Sequence, residues 1–357
     1  MIKVKNRMVS EFEENLRMKR TVCFCAGQGL HELCEVYPLA AGRISYIVDN
    51  YCHGRSMELG GHEVPVVSME EIQGDIKDAM LVVTSIQYAD EIIKQLDALE
   101  VCNNLEVFIP ALLKEDKTAA EPEGKGRNVL PKLLHYCWFG KGEMPKRFQR
   151  NMESWKRVCP DYEIIRWDES NYDYTKNNYM RQAYEAGKWG FVPDYARLDI
   201  INTYGGIYLD TDVELLKPPD DFLQFRLFCG FENIWFVNFG LGFGGMAGHP
   251  ILREMMALYD ETDFVKPDKS LNLTASPVYQ TRVLAEHGLK RNGCCQIQSD
   301  FAAFSTEYFS PINAYGMGRA TANTCSIHQY AATWFGEKQR EMKKRTEKSM
   351  KFVMERI

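Results

Sequence analysis

Between residues 21 and 109 the chain alternates two textures. Residues 21–25, 44–48, 64–67, 80–83 and 105–109 are short, nearly unbroken apolar runs, and the stretches between them space apolar residues three or four apart. Short apolar runs are the pattern of strands covered on both faces, and the wider spacing is that of helices. One helix is predicted at about residues 88–99, and Ser68 with Glu71 three positions on has capping-box spacing. The pattern predicts a parallel sheet in a small Rossmann-like α/β domain over residues 1–113.

Residues 114–128, KEDKTAAEPEGKGRN, carry no large apolar side chain and read as a linker. A second domain is expected over residues 129–336. Strands are predicted at 132–138 and 162–167, helices at 146–158, 194–203, 250–259 and 277–287, and a glycine-rich stretch lies at 239–248. Residues 337–357 are basic. From Gly336 on there are eight Lys or Arg against four Glu, with Met342, Met350, Val353 and Ile357 loosely on one helical face. They are expected to form a solvated closing helix, or a weak docking element for a membrane or a partner.

Composition narrows the function. The 357 residues are 45% hydrophobic and 26% charged, ordinary for a soluble protein with full cores. A net charge of -6 excludes the basic face that a nucleic acid requires. Eleven cysteines show no zinc spacing; Cys23 and Cys25 are one residue apart, and Cys294 and Cys295 adjoin. Reduced thiols are expected. The first twenty residues lack the apolar core of a signal peptide, and no run approaches the ~20 apolar residues of a membrane span. A cytoplasmic protein, able to work at the inner face of the membrane, is therefore expected.

The candidate chemistry centres on Tyr204-Gly205-Gly206-Ile207-Tyr208-Leu209-Asp210-Thr211-Asp212-Val213. It reads as a helix stop, a short buried strand and two aspartates one residue apart. Alternation along a strand puts Asp210 and Asp212 on one side with Tyr208. Two such carboxylates repel unless a divalent cation lies between them, and hard cations such as Mn2+ or Mg2+ also take phosphate oxygens. A metal-held diphosphate, and so a nucleotide-activated substrate, is the reading. Upstream, Asp194 and Arg197 lie three apart at a helix start stiffened by Pro193.

The string from Phe191 to Asp199, followed by Tyr204 to Asp212, resembles the sugar-binding DXD region of glycosyltransferase family 32. That family includes bacterial capsular and surface polysaccharide transferases. His135-Tyr136-Cys137-Trp138 resembles its opening strand; Asn238 to Gly244 and Ser270 to Thr274 fit its middle; Ser326-Ile327-His328-Gln329-Tyr330, then Trp334, fit its closing segment. The resemblance implies a GT-A type nucleotide-diphospho-sugar transferase fold. It implies a metal-dependent, retaining hexosyltransferase that uses a UDP-sugar and a glycan or lipid-linked glycan acceptor in surface polysaccharide synthesis. It places Asp194 and Arg197 on the donor sugar's hydroxyls. Asp212 becomes the first choice of metal ligand, Asp210 contacts ribose or metal, and His328 is the third ligand. Trp138 falls near the base and Trp334 over the diphosphate or sugar, with Tyr208, Asn238 and Asn272 also among the substrate-binding residues. Glu232 and Asn238 are candidates near the reacting carbon or the acceptor. Gln329 stands where the family often has a second histidine.

Two other readings compete. Gly27-Gln28-Gly29 opens a dinucleotide-type turn, with Asp49 twenty residues after Gly29, but Glu32 replaces the third glycine. The first domain is then a structural or regulatory module, or it binds a nucleotide as a nicotinamide-dependent oxidoreductase would. The third reading is a sugar-nucleotide-binding scaffold without turnover.

Overall fold

The computed structural model describes residues 2–5, 7–71, 76–99, 105–116, 126–331 and 336–357. The chain divides into two compact units, residues 1–116 with 335–357, and residues 117–334.

In the first unit the elements are β1 (Lys3–Lys5), α1 (Val9–Met18), β2 (Thr21–Phe24), α2 (Gln28–Val36), α3 (Pro38–Ala41), β3 (Ile44–Val48), β4 (Arg55–Leu59), β5 (His62–Val67), β6 (Met80–Val83), α4 (Ala89–Asp97) and β7 (Glu106–Phe108). They build one sheet in the order β1-β7-β6-β2-β3-β5-β4, parallel except for the β4–β5 hairpin. The five apolar runs all become strands, and β2 and β6 are buried along their whole length. The sheet also takes in β4, mostly polar and exposed at the edge. Its pairing is set by Gly60-Gly61, at φ 54° and 82°, between the paired Leu59 and His62. Two consecutive positive φ values make the hairpin turn that matches strand twist, and glycine adopts them without strain.

The dinucleotide-like features in this unit have structural partners. Asp49 accepts hydrogen bonds from the backbone N–H groups of Ala26, Tyr51 and Cys52, at 2.9, 2.9 and 3.1 Å. A Cβ on Gly29 would lie 2.3 Å from the Thr84 carbonyl oxygen, so this glycine permits close packing of α2 against the end of β6.

Two expected boundaries shift. Residues 114–116, expected in the linker, are docked: Asp116 accepts from Ser10 Oγ at 2.6 Å and from its N–H at 3.0 Å. The C-terminal helix Glu337–Met354, expected as a separate solvated element, belongs to the first unit. Its Ser349, Met350 and Val353 are buried, and Arg345 binds Asp90 and Glu91 of α4, each at 2.7 Å. The basic residues thus answer acidic ones on the neighbouring helix while a narrow apolar seam is covered. No helix among the described residues is long and apolar enough to cross a membrane.

The second unit contains β8 (Leu133–Cys137), α5 (Lys146–Val158), β9 (Glu163–Trp167), α6 (Asn178–Glu185), α7 (Val192–Tyr204), β10 (Gly206–Tyr208), β11 (Val213–Leu215), β12 (Leu227–Phe231), β13 (Val237–Asn238), β14 (Phe243–Gly245), α8 (Pro250–Asp260), α9 (Ser276–Glu286), β15 (Gln296–Ile297), β16 (Ala302–Phe304), α10 (Thr306–Phe309) and β17 (Ser326–His328). Its mixed sheet runs β15-β16-β12-β14-β10-β8-β9, with β13 on β12, and β11 pairs separately with β17. One apolar cluster joins the sheet to α6, α7, α8 and α9; a second joins it to α5 and α10. Both units are α/β, the class expected.

The turn from α7 into β10 is fixed by Gly205 at φ 68° and Gly206 at φ 100°. A Cβ on Gly206 would also approach the Leu133 carbonyl oxygen to 2.8 Å. His135, fully buried, holds the turn from β8: its Nε2 lies 3.0 Å from Gly205 O, and its Nδ1 accepts from Trp167 Nε1 at 3.2 Å. Burial pushes its pKa down from 6.5 to about 4, against the Gly205 hydrogen bond. The folded protein therefore binds fewer protons here than the unfolded chain across that window. The contribution is present above the unfolded pKa and lost as pH falls, on the order of 3 kcal/mol. Denaturant unfolding at about pH 7 and about pH 4.5 should show wild type losing more stability on acidification than His135→Gln.

Candidate functional site

The site assembles where α7, the β10–β11 turn and β17 meet. Val192 to Tyr204 winds as one helix with Pro193 in its first turn, and it buries Asp194 and Arg197, 5% and 3% exposed. The guanidinium bridges two carboxylates: Nη2 lies 3.1 Å from Asp194 Oδ1 and 3.3 Å from Asp210 Oδ1. Nε donates to the Pro193 carbonyl at 3.0 Å, Nη1 to Ser276 Oγ at 3.4 Å, and the group stands 5.3 Å from the centre of the Tyr208 ring.

The aspartate pair is not arranged as a strand would arrange it. β10 ends at Tyr208, and Val213 N–H donates to Asp210 O at 3.1 Å, so residues 210–213 form a tight turn. The two carboxylates converge through this turn, and strand alternation does not govern them. Tyr208 is buried beneath Arg197. Asp210 also needs Gly240, whose carbonyl accepts the Asp210 N–H at 3.1 Å. A Cβ there would fall 2.2 Å from Asp210 Oδ2.

His328 arrives from far along the sequence because β17 pairs antiparallel with β11, setting Val213 opposite His328. Its Nε2 is 3.2 Å from Asp212 Oδ1, while Asp212 Oδ2 accepts the Ala331 N–H at 2.9 Å. One ligand atom each from Asp210, Asp212 and His328 lie within 4.8 Å of one another.

The electrostatics are lopsided. Among the described residues, Asp194, Asp210, Asp212 and the half-buried Glu232 face two cationic or potentially cationic groups, Arg197 and His328. Burial pushes Asp194 up to about 7, with Arg197 opposing and Asp210 adding to the rise. For Asp212 burial works upward, but His328 and the Ala331 N–H outweigh it and hold the carboxyl low. For His328 burial works downward, and Asp212, Asp210 and Glu232 together raise it. Its Nδ1 is buried without a hydrogen-bond partner among the described residues. Surplus carboxylate charge around two oxygen donors and one imidazole fits a divalent cation.

Other expected residues fall around this centre. Asn238 Nδ2 donates to Glu232 Oε2 at 2.6 Å, and its Oδ1 accepts the Gly240 N–H at 2.7 Å, so it ties Glu232 to the Asp210 support. Burial raises the Glu232 carboxyl, with His328 opposing. Asn272 Nδ2 donates to Tyr279 OH at 2.9 Å and its Oδ1 accepts the Thr274 N–H, which gives it a loop-holding role. Trp138 donates to Gly142 O at 2.7 Å and meets Phe148 edge-on, outside the carboxylate cluster. Trp334 lies outside the described residues. A groove of about 830 Å³, lined by Tyr136, Met144, Met152 and Ile164 among others, lies between α5 and β9, away from the aspartates.

Sequence reasoning missed Ser276, Gly240 and Asn151, which meet the site only through tertiary contact. It also missed the buried hydroxyls of Tyr179 and Tyr259, whose rings meet edge-on at 4.9 Å and which have no hydrogen-bond partner among the described residues. Both tyrosines lie within reach of the Asp194 charge.

Residues 145–228 match the family model described as a glycosyltransferase sugar-binding region containing the DXD motif. Inositol phosphoceramide mannosyltransferase 1 of Schizosaccharomyces pombe is 29% identical over 138 residues, covering 34% of this chain and 41% of that protein. Mannosyl phosphorylinositol ceramide synthase SUR1 of Saccharomyces cerevisiae is 27% identical over 211 residues, covering 56% and 54%. The chain thus spans about half the length, or less, of these relatives. Among solved structures, the PaToxG glycosyltransferase aligns at 17% identity and a TM-score of 0.39, covering 46% of this chain and 71% of that one. The enzyme class that the family and the relatives support is glycosyltransferase.

Gly240→Ala should push the Asp210 carboxylate aside while the fold persists, since the blocking atom ends a side chain. Mn2+ affinity, read by the paramagnetic resonance of free ion during titration, is expected to fall about 10-fold or more. An unchanged affinity would show that Asp210 can turn without loss.

Proposed function

We propose that the second unit is a GT-A type, metal-dependent, retaining transferase that moves a hexose from a nucleotide-diphosphate sugar to a hydroxyl acceptor. The observation that carries this reading is the Arg197 bridge between Asp194 and Asp210, immediately beside the Asp210–Asp212–His328 cluster. One arm offers a buried carboxylate and guanidinium, the pairing that recognises sugar hydroxyls; the other offers hard oxygen ligands, the set that holds a cation against a diphosphate.

Asp210, Asp212 and His328 would hold Mn2+ or Mg2+, which when bound neutralises the charge developing on the leaving diphosphate. Asp194 and Arg197 orient the sugar so that its anomeric carbon faces the Glu232 and Asn238 side. There the acceptor hydroxyl attacks from the face that the diphosphate leaves, and its proton passes to the departing phosphate oxygen. Glu232, whose carboxyl burial raises, is assigned to the acceptor hydroxyl. Catalysis of this kind is mostly positioning and leaving-group stabilisation.

The Schizosaccharomyces pombe relative is named a mannosyltransferase and SUR1 a mannosyl phosphorylinositol ceramide synthase, which puts mannose among the hexoses to test beside the UDP-sugars expected from the sequence. Both names include a phosphoinositol ceramide, which favours a lipid-linked acceptor over a free glycan; surface polysaccharide synthesis in the cytoplasm, with contact at the membrane, remains the setting proposed from the sequence.

The test is nucleoside diphosphate release by the full chain with Mn2+ and UDP-glucose, UDP-galactose or GDP-mannose, water serving as acceptor. Release with one of these, lowered about 10²-fold in Asp212→Asn, is the expected outcome. Undiminished release by Asp212→Asn would sink the metal assignment, and metal-dependent binding without turnover would favour the scaffold.

A further inference from the structure

The metal cluster draws its ligands from two segments that are far apart in sequence. Something has to register one against the other, and pairing of the three-residue strands β11 and β17 is a short hold. Beyond the pairing, the described contacts converge on one buried amide. Asn151, in the middle of α5 and 2% exposed, donates from Nδ2 to the carbonyl of Thr211, the residue between the two aspartates, at 2.9 Å. Its Oδ1 accepts from Gln329 Nε2 at 2.9 Å, and its Nδ2 also lies 3.5 Å from Gln329 Oε1. Gln329 is the neighbour of His328, and its backbone N–H donates to Asp212 O at 2.9 Å.

Neighbouring side chains on an extended segment point to opposite sides. His328 faces Asp212 and Gln329 faces away from the cluster, onto α5. We propose that Asn151 and Gln329 form an amide latch that positions His328 as the third ligand of the Asp210–Asp212 metal site. Both amides donate and accept, so the pair fixes separation and orientation together. A histidine at position 329 could not present this two-way face. Gln329 is therefore a positioning residue and contributes no ligand, and α5 is the anchor on which the aspartate turn and the closing strand are both registered.

The inference rests on the metal reading, and one experiment separates the two. Mn2+ alone is titrated into the purified full chain, with free ion read by paramagnetic resonance and nitrogen coupling of the bound ion read by spin echo. Wild type should bind with an imidazole coupling, and Asp212→Asn should abolish binding; absence of both effects overturns the metal reading itself. Given wild-type binding, Gln329→Met, close in volume but unable to donate, should weaken affinity about 10- to 100-fold and diminish the nitrogen coupling. Gln329 is exposed, so this change leaves the core intact. Asn151→Ala combined with Gln329→Met should be little worse than either alone, the signature of a shared interaction. The exchanged pair Asn151→Gln with Gln329→Asn should recover part of the affinity and the coupling. Unchanged affinity and coupling in Gln329→Met, or additive losses in the double variant, overturn the latch.

Discussion

One buried guanidinium organises the second unit. Removing an arginine and two carboxylates from water carries a penalty of several kcal/mol per ion, recovered only when the charges meet at hydrogen-bonding distance. Arg197 meets both Asp194 and Asp210, and its remaining donors reach Pro193 O and Ser276 Oγ. The pairing dictates geometry beyond itself. α7 must end within one turn of the sheet so that Asp210 can return to Arg197, and Gly205 and Gly206 permit that reversal. Gly240 must lack a side chain so that the carboxylate has room, and the Tyr208 ring lies beneath the guanidinium.

The balance is incomplete by design of the charges present. One arginine answers two carboxylates, and Asp212, Asp210 and Glu232 together raise the His328 imidazole against its burial. Asp194 is pushed toward neutrality by its burial. The site carries surplus negative charge and, among the described residues, a buried imidazole nitrogen and two tyrosine hydroxyls without hydrogen-bond partners. In the proposed function a bound cation and a polyhydroxylated donor would complete these groups.

Much of this was legible in the sequence where the causes are local. The apolar runs of the first unit became strands because burial on both faces removes alternation. Asp194, Arg197, Asp210 and Asp212 share one stretch of nineteen positions, so motif and helix spacing brought them together before any fold was known. The edge strand β4 was missed because one exposed face and a polar composition erase the apolar signal, although Gly60-Gly61 was a readable hairpin turn. The aspartates converge through a turn and not through the strand alternation expected, since a turn between two short strands cannot be told from a strand end by composition. Asn151, Gly240 and Ser276 were illegible because their roles exist only once α5, the β13–β14 connection and α9 have packed. The C-terminal helix showed its seam residues Met350 and Val353, but its partner α4 lies some 250 positions away.

The two units each carry a motif that looks like a ligand site, and polar satisfaction separates them. In the first, Asp49 spends its carboxylate on three backbone N–H groups of its own turn, and Gly29 makes room for Thr84. The turn is complete as it stands, and a dinucleotide ribose would have to displace bonds already made. In the second, the carboxylates outnumber the cationic partners found among the described residues. Buried polar groups in a folded protein are almost always paired, so a fully paired motif is most economically structural, while a motif left short of partners marks where something else must bind. On that criterion the glycine turn of the first unit is part of the scaffold, and the aspartate turn of the second is the place left short of partners, where the proposed chemistry is assigned.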